Sequence, residues 1–185
     1  VNGTAAYLKE SRKIERYHMK LRRRSIYVAC EDYNFIWCEH EIRTVRKMWK
    51  NGISIVEMAK IVRRHLNELA FLIIDQAEST KFLKSRRKKV TNDASAFKNF
   101  ASEKIVYLQQ EKYIACEYYN FVWDEDEVYK FRNLWSSGAT IFYISEVFNR
   151  DVNEVAFLIV DQADQGYIKP RKGGVWGVLF ESQQG

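Results

Sequence analysis

Apolar residues along residues 39–77 recur at helical spacing in three consecutive runs. In the first, Ile42, Val45 and Met48/Trp49 share one face, which predicts a helix ending at Trp49. Asn51-Gly52 breaks that run. Ser54 can then cap a second helix, with Glu57 completing a capping box. Ile55, Met58, Ala59 and Val62 at i, i+3, i+4 and i+7 make that helix about two turns long. After the turn Arg63-Arg64-His65, the third run spans Leu66 to Ala77, with Leu66, Leu69, Ala70, Ile73 and Ala77 inward. A long helix, a tight turn, a short helix, a second tight turn and a helix make a helix-turn-helix arrangement. Upstream, Ile26–Cys30 and Tyr33–Trp37 are β-branched and aromatic without helical spacing. They are expected to be short extended segments forming a small hairpin over Glu31-Asp32.

The whole pattern returns 86 residues later. Tyr27–Leu83 aligns without a gap on Tyr113–Lys169 with 24 identities in 57 positions, among them Cys30/Cys116, Trp37/Trp123, Gly52/Gly138 and Arg64/Arg150. So long a match indicates an internal duplication. Residues 4–24 lack Gly and Pro and read as an amphipathic helix leading into the first copy. Asn92 or Asp93 can cap a similar helix, carrying Phe97, Phe100, Ala101, Ile105 and Leu108 on one face, that leads into the second. The expected fold is therefore mainly α, with two duplicated trihelical helix-turn-helix modules, each preceded by an amphipathic helix and a short extended segment. The expected division is 1–80 for the first module with its helix, 81–91 for a basic linker, and 92–185 for the second module with its helix and Gly-rich tail. The tail from Gly166 to Gly177 holds the single proline and half the glycines, which predicts a helix stop and turns, with room for a short wing-like strand.

Charge separates the two copies where the apolar pattern does not. The net formal charge of +6 in 185 residues combines +6 over residues 1–26, −1 over 27–80, +6 over 81–112, −7 over 113–165 and +2 over 166–185. A footprint for a polyanion therefore exists at the N-terminal segment, the linker and the turn of the first copy, whereas the second copy should repel phosphate. No run of about 18 uncharged apolar residues is present, so no membrane span is expected. Three cysteines and no apolar leader point to reduced thiols and a cytoplasmic setting.

Candidate chemistry is sparse. Cys38-Glu39-His40 with Cys30 nearby suggests zinc, but the second copy replaces Cys38 and His40 with Asp124 and Asp126, so no metal and no cofactor is expected. Asp124-Glu125-Asp126-Glu127 lacks the spacing of a calcium loop and suits the positive end of a helix dipole. His18, His40 and His65 stand beside no nucleophile, and Gly173-Gly174 lacks the strand and helix of a phosphate loop. Catalysis is not expected.

Trp37/Trp123, the acidic helix start, the Trp-x-x-Gly turn and the Arg-x-x-Asn-Glu entry to the third helix resemble the trihelical modules of homeodomain-like and Myb/SANT-like proteins. The chain looks like proteins of that type in Gram-positive bacteria and their phages. The resemblance covers residues 37–79 and 123–165 and implies a DNA-binding regulator. By position it places the turn and recognition-helix start on Arg63, Arg64, His65 and Asn67, then on Asn149, Arg150, Asp151 and Asn153. The expected partner is double-stranded DNA, contacted by Arg22, Arg23, Arg24, Lys60, Arg63, Arg64, His65, Asn67, Arg86, Arg87, Lys88 and Lys89. The expected setting is nucleoid-associated, as monomer or homodimer. The third helix departs from a base-reading pattern, since it offers carboxylates and no cation. Glu68, Phe71, Asp75 and their counterparts Glu154, Phe157 and Asp161 either hold each module together or form an acidic-aromatic face for a protein partner. The alternative function is accordingly a non-catalytic interaction protein, such as a phage-encoded modulator of a host macromolecule.

Overall fold

The computed structural model describes residues 25–79, 95–97, 100 and 111–176. Among them the protein is mainly helical, with four three-residue strands. In chain order these are β1 (Ile26–Val28), β2 (Ile36–Cys38), α1 (Glu39–Lys50), α2 (Ile55–Val62), α3 (Leu66–Ser79), β3 (Lys112–Ile114), β4 (Val122–Asp124), α4 (Glu125–Ser136), α5 (Ile141–Phe148) and α6 (Val152–Asp164). Single 3-10 turns lie at Ser95–Phe97 and Gly174–Trp176. No described helix is long and apolar enough to cross a membrane. The expected leading helix at 4–24 and the linker at 81–91 lie outside the described residues, as does most of the helix expected after Asn92.

The helix boundaries follow local chemistry. Cys38 ends β2 and donates its N–H to Glu41 Oε2 at 2.9 Å, closing the start of α1. Ser54 Oγ accepts the Glu57 N–H at 3.2 Å and Thr140 Oγ1 accepts that of Tyr143 at 3.1 Å, capping α2 and α5. Gly52 and Gly138 follow α1 and α4 at φ 78° and 87°, where a side chain would strain the turn.

The strands pair differently from the hairpin expected over Glu31-Asp32. β1 pairs with β4 in antiparallel register, Tyr27 opposite Trp123, and β2 pairs with β3, Trp37 opposite Tyr113. Each copy's leading strand thus completes the sheet of the other copy's helices. The compact units follow this pairing. One compact unit holds 25–30 with 120–176, and the other holds the described residues from 31 to 119. The reason is hydrogen bonding. An isolated three-residue strand leaves its backbone groups without partners, and Ala29 N–H finds Phe121 O at 2.8 Å while Ala115 N–H finds Phe35 O at 2.9 Å.

The third helix supplies a second anchor for each strand. In the α4–α6 unit Asp161, which is buried, accepts the Tyr27 hydroxyl and the Cys30 N–H, the latter at 2.9 Å. Gln162 donates to Tyr27 Oη at 2.8 Å and accepts Arg132 Nε at 2.7 Å. In the α1–α3 unit the same roles fall to Asp75, Tyr113, Cys116, Gln76 and Arg46. Tyr113 donates to Asp75 at 2.5 Å, Cys116 N–H at 3.0 Å, and Arg46 Nε to Gln76 at 2.9 Å. Cys30 and Cys116 both adopt φ 61°, a left-handed conformation that is costly for a residue with a Cβ. The anchoring N–H bond and a thiol bond to a third-helix carbonyl, 3.4 Å to Phe157 O and to Phe71 O, hold them there. Burial, then the hydrogen bond and charge of the aspartate, push the Tyr27 and Tyr113 hydroxyls well above their ordinary value. Burial, followed by the charges of Asp75 and Glu78, pushes the Cys116 thiol up to about 12.

Around the latch each unit packs an aromatic layer. Phe35 stacks on Phe71 at 5.6 Å, and Phe121 on Phe157 at 5.4 Å. Trp37 and Trp123 are fully buried beneath an arginine.

Candidate nucleic-acid interface

Five of the expected DNA-contacting residues are described, and they divide into two groups. Arg63 caps the end of α2 with φ 54°, its own N–H turned back to the Ala59 and Lys60 carbonyls, and its side chain is exposed. Lys60 is exposed one turn earlier, 3.6 Å from Glu57. These two project into solvent at the turn, and His65 is also exposed, its ring 5.3 Å from that of Tyr33.

Arg64 and Asn67 have other duties. Arg64 lies over Trp37 at 4.4 Å, bonds Glu41 at 3.2 Å, approaches Glu68 at 3.6 Å and donates to the Ile36 carbonyl at 2.5 Å, leaving its side chain 12% exposed. Its guanidinium is an internal tie between β2, α1 and α3. Asn67 donates its amide to Tyr33 Oη at 2.8 Å, and its N–H meets His65 Nδ1 at 3.3 Å. That amide is therefore already engaged in fixing the loop before β2. Arg22, Arg23, Arg24, Arg86, Arg87, Lys88 and Lys89 lie outside the described residues.

The expected protein-facing set is also internal. Phe71 and Phe157 are buried. Glu68 accepts the Asn34 N–H at 3.0 Å, as Glu154 accepts that of Asn120 at 2.8 Å. Asp75 and Asp161 anchor the exchanged strands. All six recur in both copies, and each makes a contact inside its own unit. Along α3 only Leu66 and Glu78 are exposed among the residues whose side chains are described. Asn67, Glu68, Ala70, Ile74, Asp75 and Ala77 are half-buried, so α3 presents little open surface of its own.

A cationic feature that the apolar periodicity did not single out stands on α1. Arg43, Lys47 and Lys50 are exposed at i, i+4 and i+7, spacing that places them on one face. Arg43 lies 3.7 Å from Glu39, and Lys47 and Lys50 fall in the last turn, where cations also complement the dipole. The same 3.6-residue count, applied to charged instead of apolar residues, would have found them.

At equivalent positions the α4–α6 unit shows a different surface. Lys47, Lys50, Lys60, Arg63 and His65 correspond to Asn133, Ser136, Glu146, Asn149 and Asp151. Arg43, Val56 and Glu57 correspond to Tyr129, Phe142 and Tyr143, all exposed. The tail adds to this side: Trp176 stacks on Phe142 at 5.9 Å. No strand forms among the described residues of the tail; instead Arg171 packs over Trp135 at 3.8 Å and donates to the Trp135 and Ala139 carbonyls, each at 2.7 Å. Burial lowers the Arg171 pKa from its ordinary value.

Comparison with protein-family models, curated proteins and solved structures yields no match.

Proposed function

We propose that the protein is a non-catalytic, DNA-binding regulatory protein whose units are duplicated helix-turn-helix modules, and that it grips duplex DNA by its phosphates without reading bases. The observation that carries this reading is the charge contrast on an otherwise repeated scaffold. Exposed positions that are Lys47, Lys50, Lys60 and Arg63 on the α1–α3 unit are neutral or acidic on the α4–α6 unit. A fold requirement would have kept them alike, as it kept the anchoring residues Asp75/Asp161, Gln76/Gln162 and Arg46/Arg132. The covered third helix supports sequence tolerance, because the element that normally reads bases is enclosed. The basic runs Arg22–Arg24 and Arg86–Lys89 add charge before and after the helices α1–α3 in the sequence.

The test is salt-dependent binding to duplexes of unrelated sequence. Affinity should be similar for each duplex and should fall steeply with salt. Lys60→Glu with Arg63→Glu should weaken binding to all of them and lower the slope of log K against log salt by about 2. An unchanged slope, or no binding at low salt, would remove the reading.

One observation favours a second activity, protein docking by the α4–α6 unit. Phe142, Tyr143 and Trp176 are exposed beside acidic Glu146, a composition suited to a basic protein surface.

A further inference from the structure

We propose that the two strand seats are interchangeable, and that a second copy of this chain can fill them by strand exchange between chains. A seat consists of the edge of β2 or β4 along which β3 or β1 pairs, the Asp-Gln pair of α3 or α6, and the arginine behind it. Compare the strands that occupy the two seats, Ile26-Tyr27-Val28-Ala29-Cys30-Glu31 and Lys112-Tyr113-Ile114-Ala115-Cys116-Glu117. The tyrosine, alanine and cysteine that the seats hold are the same in both. The positions that differ, Ile26/Lys112 and Val28/Ile114, are exposed. The receiving groups repeat equally well, as Trp37/Trp123, Phe71/Phe157, Asp75/Asp161, Gln76/Gln162 and Arg46/Arg132. A seat therefore has no buried contact by which to tell one strand from the other.

The pairs at the first differing position go further. As seated, Ile26 stands opposite Asp124 and Lys112 opposite Cys38. With the strands interchanged, Lys112 would face Asp124 and Ile26 would face Cys38, pairing opposite charges and two apolar groups. Cross-strand chemistry consequently sets no barrier to other occupants. Recognition is by main-chain pairing with side-chain pockets for Tyr and Cys, the form of β-strand addition. Within one chain the tether gives the strand an effective concentration on the order of millimolar, so the monomer prevails in dilute solution. Refolding at high concentration lets a neighbour's strand arrive first, the usual route of domain swapping.

The experiment uses two full-length variants, Val28→Cys and Val122→Cys. These residues oppose each other in the register and are exposed, so neither substitution disturbs the core. Neither variant can form the 28–122 disulfide alone. The two are unfolded in urea, mixed, refolded over a range of concentrations, oxidised and mapped by peptide mass spectrometry. The expected result is an interchain 28–122 disulfide whose yield rises with chain concentration during refolding. It should be largely lost when the variants are refolded separately before mixing. Val28→Cys paired with Val56→Cys, an exposed site on α2, sets the background. A 28–122 yield no higher than that background would overturn the proposal. So would a yield independent of whether refolding is joint or separate, since the disulfide would then arise from collision of folded chains.

Discussion

The two units repeat one set of hydrogen-bonded anchors and differ in the charge of their surfaces. Each has the Tyr–Asp–Gln–Arg latch and the arginine lying on a buried tryptophan between two glutamates. The pairs match closely, Arg64 at 4.4 Å over Trp37 and Arg150 at 4.2 Å over Trp123. One ion pair is unequal: Glu41 is 2% exposed beside Arg64, whereas Glu127 is 32% exposed and 3.7 Å from Arg150. The hydrogen-bonded anchors and the tryptophan under each arginine are retained between the copies, whereas buried apolar positions such as Val45/Phe131 and Ile53/Ala139 vary in size, and the exposed cations Lys47, Lys50, Lys60 and Arg63 are replaced. The duplicated chain therefore separates structural necessity from individual role without recourse to any other protein.

The largest test of this equivalence is the latch itself. Asp161→Ala leaves the Tyr27 hydroxyl and the strained Cys30 N–H without their acceptor inside the unit, and should cost about 4 kcal/mol in urea melts. Asp75→Ala should cost a similar amount through Tyr113 and Cys116. A loss below about 1 kcal/mol for either would mean that the two latches are not the same device.

A smaller effect should expose where the units diverge. Arg64→Ala strands Glu41 in a closed setting and should cost about 3 kcal/mol. Arg150→Ala leaves a glutamate that water can reach and should cost about 1 kcal/mol. Equal losses would show that the difference in glutamate exposure has no energetic weight.

Alkaline titration should produce the most gradual change. The hydroxyls of Tyr27 and Tyr113 are held above the ordinary tyrosine value of 10.0, so the unfolded chain releases those protons first. Stability is accordingly full below that value and declines as pH rises past it. Cys116, raised from 9.0 to about 12, starts the decline earlier. Unfolding midpoints measured between about pH 8 and about pH 11 should fall continuously. In Tyr27→Phe/Tyr113→Phe the part above 10 should flatten, leaving the thiol component; an unchanged profile would mean that the tyrosines do not titrate with folding.

Much of the local structure could be read from residue order. α2 and its Ser54 cap follow from spacing and capping chemistry, since both depend on neighbours within a turn. The site was less legible. Arg63 and Arg64 are adjacent and chemically identical in sequence, yet one is exposed and the other lies under two glutamates and over an indole. Asn67 has a base-reading side chain, but Tyr33, 34 residues away, occupies its amide. Nothing local distinguishes these cases, because burial is a property of what packs on top.

By itself the sequence determined the helices, their order, the duplication and the charge divergence, all of which are written in residue type at short range. Only the tertiary structure decided which strand completes which sheet. Tyr27-Val28-Ala29-Cys30 and Tyr113-Ile114-Ala115-Cys116 present the same buried groups to the same anchors, so the choice between them has no local chemical signature. It is resolved by the path of the whole chain.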